Sequence, residues 1–570
     1  MDRELYNQMY TLGERKREVS AQVEVGHTAI SRGTAWLLIV LFALTALAVP
    51  VGQYVHGRGT SAPGAHDVFR AVPAAAAAGW HGDALFRRVV NANDAALKAM
   101  DEYERGLEND LFLRPHVRPW VQLVTGKWLG ASGEQVYVGR EGWLFYRPDI
   151  DHVTGPGFLT SRHVRKREAG RNEWEDELHL DPVRTIADFA AQLDRRGIRL
   201  IVMPTPVKPQ IHPERFSARY AGRRGALHNP SFAQFKAELE AKGVLVFDCA
   251  EALADAKRPT GSPQYLETDT HWTPQAAELI AAHLKEFIDE HAGLPKAPPT
   301  KYTRRDVRVA NHGDLAAMLG LPAGQERYGK QEVVLREVMR SRSYLWRPDR
   351  DADVLVLGDS FTNIYSLEAM GWGESAGLAE QLSFLMQRPL DRIVRNAGGA
   401  FATRQMLGRE LARGRDRLAG KKLVIWQFAA RELSSGNWRP LDMTLGKPGP
   451  SNFVVPAPKK EMTFSGIVNS ITPAPRPGTV TYKDHIIAAH LVDLQDEAGK
   501  RIAGGQAVVY MWSMRDAAWT PAARFRVGQT ITVRAHPWDD VADKYEGINK
   551  AELGGSLALE DACWAEEAKE

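Results

Sequence analysis

Asp353-Val354-Leu355-Val356-Leu357-Gly358-Asp359-Ser360-Phe361 is an aliphatic run closed by Gly-Asp-Ser. An unbroken apolar run of this length, ended by a glycine, reads as a parallel strand buried on both faces. The glycine permits a sharp turn and leaves Ser360 at the strand's carboxyl mouth, where open α/β sheets place their chemistry. Gly-Asp-Ser alone is common. It gains weight from a second stretch, Tyr265-Leu266-Glu267-Thr268-Asp269-Thr270-His271-Trp272-Thr273-Pro274, which sets a carboxylate two residues before a histidine. Serine, histidine and aspartate are the parts of an activated nucleophile.

Outward from this strand, strands and helices alternate. Upstream, 182–196 is an amphipathic helix opened by Asp181-Pro182, a cap followed by proline in the first turn. Residues 198–203 form a strand that runs into Pro204-Thr205-Pro206-Val207-Lys208, 232–242 a helix and 244–247 a strand. Thr273-Pro274 caps a helix over 274–290. Downstream come helix 378–386, strand 392–395, helix 401–413 and strand 423–428. This alternation predicts an α/β fold: a doubly wound, mostly parallel sheet with helices on both faces. Residues 136–146 read as a hairpin that begins the domain, and 83–107 as a helix. After Arg439 a Pro/Gly-rich linker leads to short β-like runs at 464–468, 479–482, 486–494, 507–512 and 530–535. They predict a small all-β domain, a barrel or a sandwich.

The chain has 570 residues, 44% hydrophobic and 25% charged, enough for two or three domains with ample core. A net charge of +3 lacks the basic bias of a nucleic-acid binder. Cys249 and Cys563 show neither zinc spacing nor a disulfide framework, and one bridge between them in an oxidising compartment stays open. From Gly33 to Gly57 there is no Asp, Glu, Lys or Arg. A membrane-spanning helix takes about 20 such residues. Arg15, Lys16, Arg17 and Arg32 precede it and place the amino terminus in the cytoplasm. Ala46-Leu47-Ala48 imitates a signal cleavage site, but the long charged lead fits a retained anchor better. Either way, the chain after Tyr54 is expected outside the cytoplasm.

Ser360 becomes a nucleophile only if a base removes its proton. His271 is the candidate base, and Asp269 is close enough to fix its tautomer and orientation. The competing readings are a capping aspartate with a metal-ligand histidine, and a strand-end serine without chemistry. No further His or carboxylate cluster lies nearby in sequence, so no metal is expected. An oxyanion needs backbone donors: that of Ser360, and a second from Asn396-Ala397-Gly398-Gly399-Ala400, where glycines allow close approach. A plain turn is the alternative there. Arg395, Arg404 and Tyr365 fall in loops near the same mouth and are either substrate contacts or, the default for each, structural residues. Trp272 follows the base and would stack on a sugar or shield the site. Lys208 follows a strand end and faces either the cleft or solvent. Trp512, Trp519 and Trp538 form either a sugar platform or β-domain core.

Gly-Asp-Ser-Phe at a strand end, Asp-Thr-His-Trp-Thr before a helix, and Gly139-Arg140-Glu141-Gly142-Trp143-Leu144-Phe145-Tyr146 together resemble the SGNH-like alginate O-acetyltransferase family (AlgJ/AlgX type). The similarity covers about 136–433. Common SGNH esterases carry Asp-x-x-His after the serine. Here Asp269 and His271 come first, one residue apart, as in the acetyltransferases. The resemblance implies an SGNH-hydrolase-like fold with Ser360 as nucleophile, His271 as base and Asp269 as its orienting partner, and no cofactor. It implies a periplasmic acyltransferase that acetylates hydroxyls of an exported polysaccharide. It also implies a membrane-bound O-acyltransferase that supplies the acetyl group. The expected organisation is a cytoplasmic tail at 1–32, an inner-membrane anchor at 33–57, a linker and helical lead-in at 58–130, the SGNH-like domain at 131–440, a linker at 441–460 and a β-rich domain at 461–570. Rival readings with the same residues are an anchored deacetylating esterase and a non-catalytic polysaccharide-binding scaffold of an export complex.

Overall fold

In the computed structural model the described residues are 31–57, 68–80, 84–109, 114–128, 135–169, 178–257, 261–322, 327–396, 398–447, 453–477, 480, 482–545, 548–553, 557 and 560–568. The chain divides into two compact units, Met1–His116 and Val117–Glu570.

The first unit contains helices Arg32–Gly57, Val68–Ala78 and Leu85–Asn109. The tail expected at 1–32 lies outside the described residues apart from its last two positions. The expected spanning stretch forms a single helix of 26 residues, with Trp36, Leu37, Ile39, Leu41, Phe42 and Leu44 exposed. Among the described residues, however, no helix is long and apolar enough to cross a membrane. The spanning assignment therefore rests on the sequence pattern and not on the fold. Part of the expected linker is helical as well: the alanine run ending at Ala78 has the highest intrinsic helix propensity and lies in a helix.

In the second unit, β1 (Val136–Val138) and β2 (Leu144–Tyr146) make the expected hairpin. The central sheet uses β3 (Arg199–Thr205) and β4 (Leu245–Val246), then, past an insertion, three later strands. The insertion was not foreseen. It is an antiparallel sheet of β5 (Thr303–Asn311), β6 (Gln331–Ser341) and β7 (Tyr344–Leu345). Its first strand reads Thr-Arg-Arg-Asp-Val-Arg-Val-Ala-Asn and is mostly exposed, so its charges conceal the strand signal. The central sheet resumes with β8 (Val354–Gly358), β9 (Asp391–Val394) and β10 (Leu423–Ala429). The order is β4-β3-β10-β8-β9, every pair parallel.

The period of two along each strand divides the core. Val354 and Val356 of β8, Ile201 and Met203 of β3, and Ile425 of β10 face a layer built on helices Pro274–His291 and Leu378–Met386. Leu355, Leu357, Leu200, Val202, Val424 and Trp426 face helices Pro182–Asp194, Phe232–Glu240 and Ala402–Ala412. Each fully buried Val or Leu contributes about 1.5–3 kcal/mol, so neither face can be given up.

The carboxyl-terminal part is a closed barrel. Strand β11 (Met462–Ile471) pairs with β12 (His485–Asp496), and β13 (Gln506–Arg515), extended by β14 (Ala518–Trp519), pairs with β12. Strand β15 (Thr530–Pro537) pairs with β11, β16 (Asn549–Lys550) adds to β12, and β17 (Ala562–Glu567) joins β13 to β15. Four of the five expected runs are strands. In the fifth, 479–482, two threonines lie outside the described residues and Tyr482 is not in a strand. Strand β17 went unread because Glu566 and Glu567 sit at the end of a short Ala-Cys-Trp run. Cys563 is buried in the barrel and Cys249 in the α/β core, and both are free thiols.

Candidate active site

Strand β8 delivers its serine through a turn that only a glycine permits: a Cβ on Gly358 would lie 2.4 Å from Thr362 Oγ1. Asp359 then caps the short helix Ser360–Asn363. One of its oxygens accepts from the Phe361 N–H at 2.8 Å and the other from the Ala429 N–H at 2.7 Å. Its own N–H donates to Gln427 Oε1 at 3.0 Å. The acid of Gly-Asp-Ser is thus an architectural clasp between β8 and β10. Ser360 is 3% exposed.

The histidine arrives on a tight loop. Tyr265 and Trp272 form an antiparallel bridge, and the Leu266 N–H donates to the His271 carbonyl at 3.0 Å. Thr273 accepts from the Ala276 N–H and caps the next helix, as its spacing predicts. His271 Nδ1 donates to Asp269 Oδ1 at 2.7 Å. The main-chain N–H of His271 reaches the same oxygen at 3.1 Å. Asp269 Oδ2 accepts from Trp372 Nε1 at 2.9 Å and from the Asp314 N–H at 3.0 Å. Burial alone would push Asp269 up; these donors and the His271 charge overcome it and hold the carboxyl at about 2. Burial disfavours a charge on His271, but the bond and charge of Asp269, with the charge of Asp314, outweigh it and raise the imidazole above its ordinary value.

The loop meets the serine turn through Phe361. Its ring lies 4.9 Å from the His271 ring and 5.4 Å edge-on from Trp272. The Tyr365 hydroxyl donates to the Trp272 carbonyl at 2.6 Å. Two stretches 89 positions apart, counted from His271 to Ser360, are thereby brought together. His271 Nε2 is buried without a hydrogen-bond partner, and no bond joins it to Ser360 Oγ. Such bonds are often long in unliganded sites and tighten on the substrate. Asp269, His271 and Asp314 also gather ligand atoms within 4.8 Å of one another, a spacing that could suit a cation. The four N–H donors on Asp269 argue against that use, because each would have to be displaced from a buried acceptor.

The glycine loop follows β9. Asn363 Nδ2 donates to Asn396 Oδ1 at 2.7 Å, which fastens this loop to the serine helix. Gly398 and Gly399 have φ of +101° and +73°, in the left-handed region that favours glycine. The Ala400 N–H donates to Glu432 Oε2 at 3.2 Å. Ala397 lies outside the described residues.

Several of the candidate substrate contacts are engaged elsewhere. Arg404 points under the sheet: its guanidinium is 4.6 Å from the Trp426 ring and 5.7 Å from that of Phe189, and it donates to the Arg439 carbonyl at 2.9 Å. Burial pulls it down to about 9. The helix turn that carries it places Thr403 and Arg404 inward, because Ala402–Ala412 packs on that face. Arg395 turns toward the barrel, 3.9 Å from Glu552. Trp272 is 0% exposed and packs on Phe361, so it offers no sugar platform. Tyr365 is equally buried and acts on the loop rather than on a ligand. Lys208, also buried, donates to the carbonyls of Leu144 at 2.8 Å and Glu267 at 3.2 Å. It ties the opening hairpin to the base loop, and burial lowers it to about 8 against the pull of Asp269, Asp314 and Asp149. In the barrel, Trp512 and Trp538 pack on Trp564, at 5.3 and 6.1 Å, and Trp519 donates to the Pro475 carbonyl.

Sequence reading missed four neighbours: Trp372, Asp314, Asn363, and Arg431, which donates to buried Asp149 at 3.0 Å and lies 6.0 Å from the Phe361 ring. The one local signal for Asp314 was a glycine before an acid at a helix start, which is too common to single out.

Comparison with known proteins places the chain in a family. Residues 136–430, just over half of the chain, match the model of the SGNH hydrolase-like domain, acetyltransferase AlgX. The probable alginate O-acetylase AlgJ of Pseudomonas aeruginosa is 29% identical over 188 residues, 33% of this chain and 41% of that protein. That of Azotobacter vinelandii is 29% identical over 192 residues, 34% and 43%. The chain thus spans less than half the length of these curated relatives. Among solved structures, the O-acetyltransferase domain of Pseudomonas putida AlgJ aligns with a TM-score of 0.39 at 20% identity, over 53% of this chain and 93% of that one. Pseudomonas aeruginosa AlgX aligns with a TM-score of 0.37 at 17% identity, over 70% and 90%. The breadth of the family match decides the matter: this chain belongs to the SGNH hydrolase-like acetyltransferase family of the AlgX type.

Proposed function

We propose that the protein is an O-acetyltransferase that moves an acetyl group through Ser360 onto hydroxyls of an exported polysaccharide. The observation that carries this reading is the Asp269–His271 pair, bonded at 2.7 Å beside the serine turn while Nε2 has no other partner. His271 Nε2 takes the proton as Ser360 Oγ attacks the acetyl carbonyl. The proton then passes to the departing donor group, leaving acetyl-Ser360. A sugar hydroxyl next gives its proton to Nε2 and attacks the acetyl carbon, and Ser360 leaves and is reprotonated. The Ser360 N–H and the Asn396–Ala400 loop, with Gly398 and Gly399, hold the oxyanion. Transfer prevails over hydrolysis when the acceptor is bound and water is kept out.

The exposed apolar side chains of Arg32–Gly57 and the basic residues ahead of them support an inner-membrane attachment with the catalytic domain in the periplasm. A membrane-bound O-acyltransferase is the proposed acetyl donor partner. Protease protection and fractionation of the expressed full chain test the placement. The chemistry is tested by incubating the full chain with a chromogenic acetyl ester, with and without an oligosaccharide. Acceptor-dependent acetylated sugar and a trapped acetyl-Ser360 peptide are expected. Free acetate at a rate indifferent to acceptor would replace the transferase by an esterase, and unchanged polymer acetylation in cells carrying Ser360→Ala would leave only a scaffold.

A further inference from the structure

His312-Gly313-Asp314 lies outside both motifs, yet it is folded directly onto the base loop. Gly313 has φ of +80°, and a Cβ there would lie 2.5 Å from the Thr268 carbonyl oxygen. The close approach lets Thr268 Oγ1 donate to the His312 carbonyl at 2.6 Å, and lets the Asp314 N–H reach Asp269 at 3.0 Å. The Asp314 side chain then turns back on the loop. Its Oδ1 accepts from the Thr270 N–H at 2.7 Å. Its Oδ2 is buried, has no hydrogen-bond partner, and lies 3.8 Å from His271 Nδ1. An asparagine would satisfy Thr270 equally well, and a buried carboxylate oxygen left without a partner is costly. The position therefore calls for a reason to be an acid.

We infer that Asp314 is a positioning residue of the base: its main-chain N–H holds Asp269, and its side chain sets a second carboxyl beside the Nδ1 edge of His271. The inference rests on the assignment of His271 as the base in the preceding subsection. While the imidazole is neutral, Asp269 alone takes its Nδ1–H. When Nε2 accepts the proton of Ser360, or of the acceptor hydroxyl, the imidazolium faces two carboxyl groups. Asp314 thus favours the charged state formed during each half-reaction over the resting state, which is the difference that accelerates a reaction. The other charged or titratable groups around the pair are Arg431, which opposes a charge on His271, and Lys208, Asp149 and Tyr146. Burial, then the Asp269 charge, push Asp314 up to about 7.

Asp314→Asn keeps the main-chain donor and the Thr270 contact and removes only the charge. Histidine-labelled full-length protein is titrated by NMR, with the His271 signal identified by its loss in His271→Gln. The His271 midpoint is expected to fall by about one pH unit in Asp314→Asn, the size of effect a charge at this range produces. The acid limb of kcat/KM for acetyl-ester turnover should move down with it, while plateau kcat drops about tenfold and KM stays put. A merely structural role would lower the rate without moving either midpoint, and an unmoved His271 titration in folded Asp314→Asn overturns the inference. Should that variant not fold, the wild-type protein carries the test through labelled Asp314: the two groups must titrate in one coupled range, and independent titration overturns the inference. The NMR readout needs no turnover. A shifted midpoint in an enzyme that Ser360→Ala does not impair would sink the catalytic reading and leave the pairing standing.

Discussion

The base loop, 265–273, and the glycine loop, 395–400, both border the Ser360–Asn363 helix, but they are held by different means. The base loop is locked from within and from its own core layer: a bridge between Tyr265 and Trp272, four donors on Asp269, and the Tyr365 hydroxyl on its carbonyl. The glycine loop has left-handed glycines and depends on side chains of other elements: Asn363, Glu432 and, through Arg395, Glu552 beyond the barrel's β16. The difference fits the tasks proposed for them. A base must keep one tautomer and one orientation, which a dense set of buried hydrogen bonds enforces. A backbone anion site must leave N–H groups pointing outward, so it is steadied from behind by its neighbours.

Breaking the base loop should have the largest effect. Asp269→Asn is expected to lower kcat by about 10⁴-fold with the fold retained, because the wrong tautomer is then favoured; steady-state kinetics with a circular-dichroism control decides. The glycine loop comes next. In Gly399→Ala the new Cβ would sit 2.9 Å from Glu432 Oε2 at a φ of +73°, and a displaced donor should cost about 10²-fold in rate. An unaffected rate would remove this loop from the anion site.

Glu552 sharpens the comparison, because it joins the glycine loop to the barrel. Burial would push it up, yet Lys550, Arg409 and Arg395 hold it at about 2, below its ordinary 4.5. The native state therefore binds this proton more weakly than the unfolded chain does. Its stabilising contribution is complete above about pH 4.5 and is lost as the pH falls toward 2. Melting temperatures taken down that window should decline less steeply in Glu552→Gln than in wild type. Glu552→Ala removes the buried carboxylate that Arg409, Lys550 and Arg395 face and should cost about 3–5 kcal/mol. Tyr365→Phe strands the Trp272 carbonyl, for a loss of about 1–3 kcal/mol in denaturant midpoint analysis and a smaller change in rate. Arg404→Met, under the sheet and away from both loops, should leave kcat and KM within about twofold, since its contacts are with Trp426 and Phe189. A large fall in kcat would return Arg404 to the mouth.

The legible parts of this molecule were those whose signal is local. The five strands of the parallel sheet carry apolar stretches bounded by turns, reduced to Ile393-Val394 in β9, and each lies within a few residues of where the pattern placed it. Asp269 and His271 are two residues apart, so their bond is almost implied by their spacing. Strands β5 and β17 escaped because exposed or terminal charges mask them. Asp314 and Trp372 escaped because they meet Asp269 across 45 and 103 positions of chain, distances over which no periodicity carries information. The direction of the loop arginines was left open for a related reason. Which way a side chain points at a strand end depends on what packs above it, and for Arg395 that is the barrel.

From sequence alone came the sheet, the serine at its mouth and the Asp-x-His pair, because strand hydrophobicity and short spacings are properties of neighbouring residues. Only the tertiary structure decided what surrounds them: a second carboxyl beside the imidazole, a tryptophan on Asp269, and a barrel glutamate behind the glycine loop. Buried polar groups must find partners wherever the fold supplies them, and those partners are chosen by packing in space and not by order along the chain.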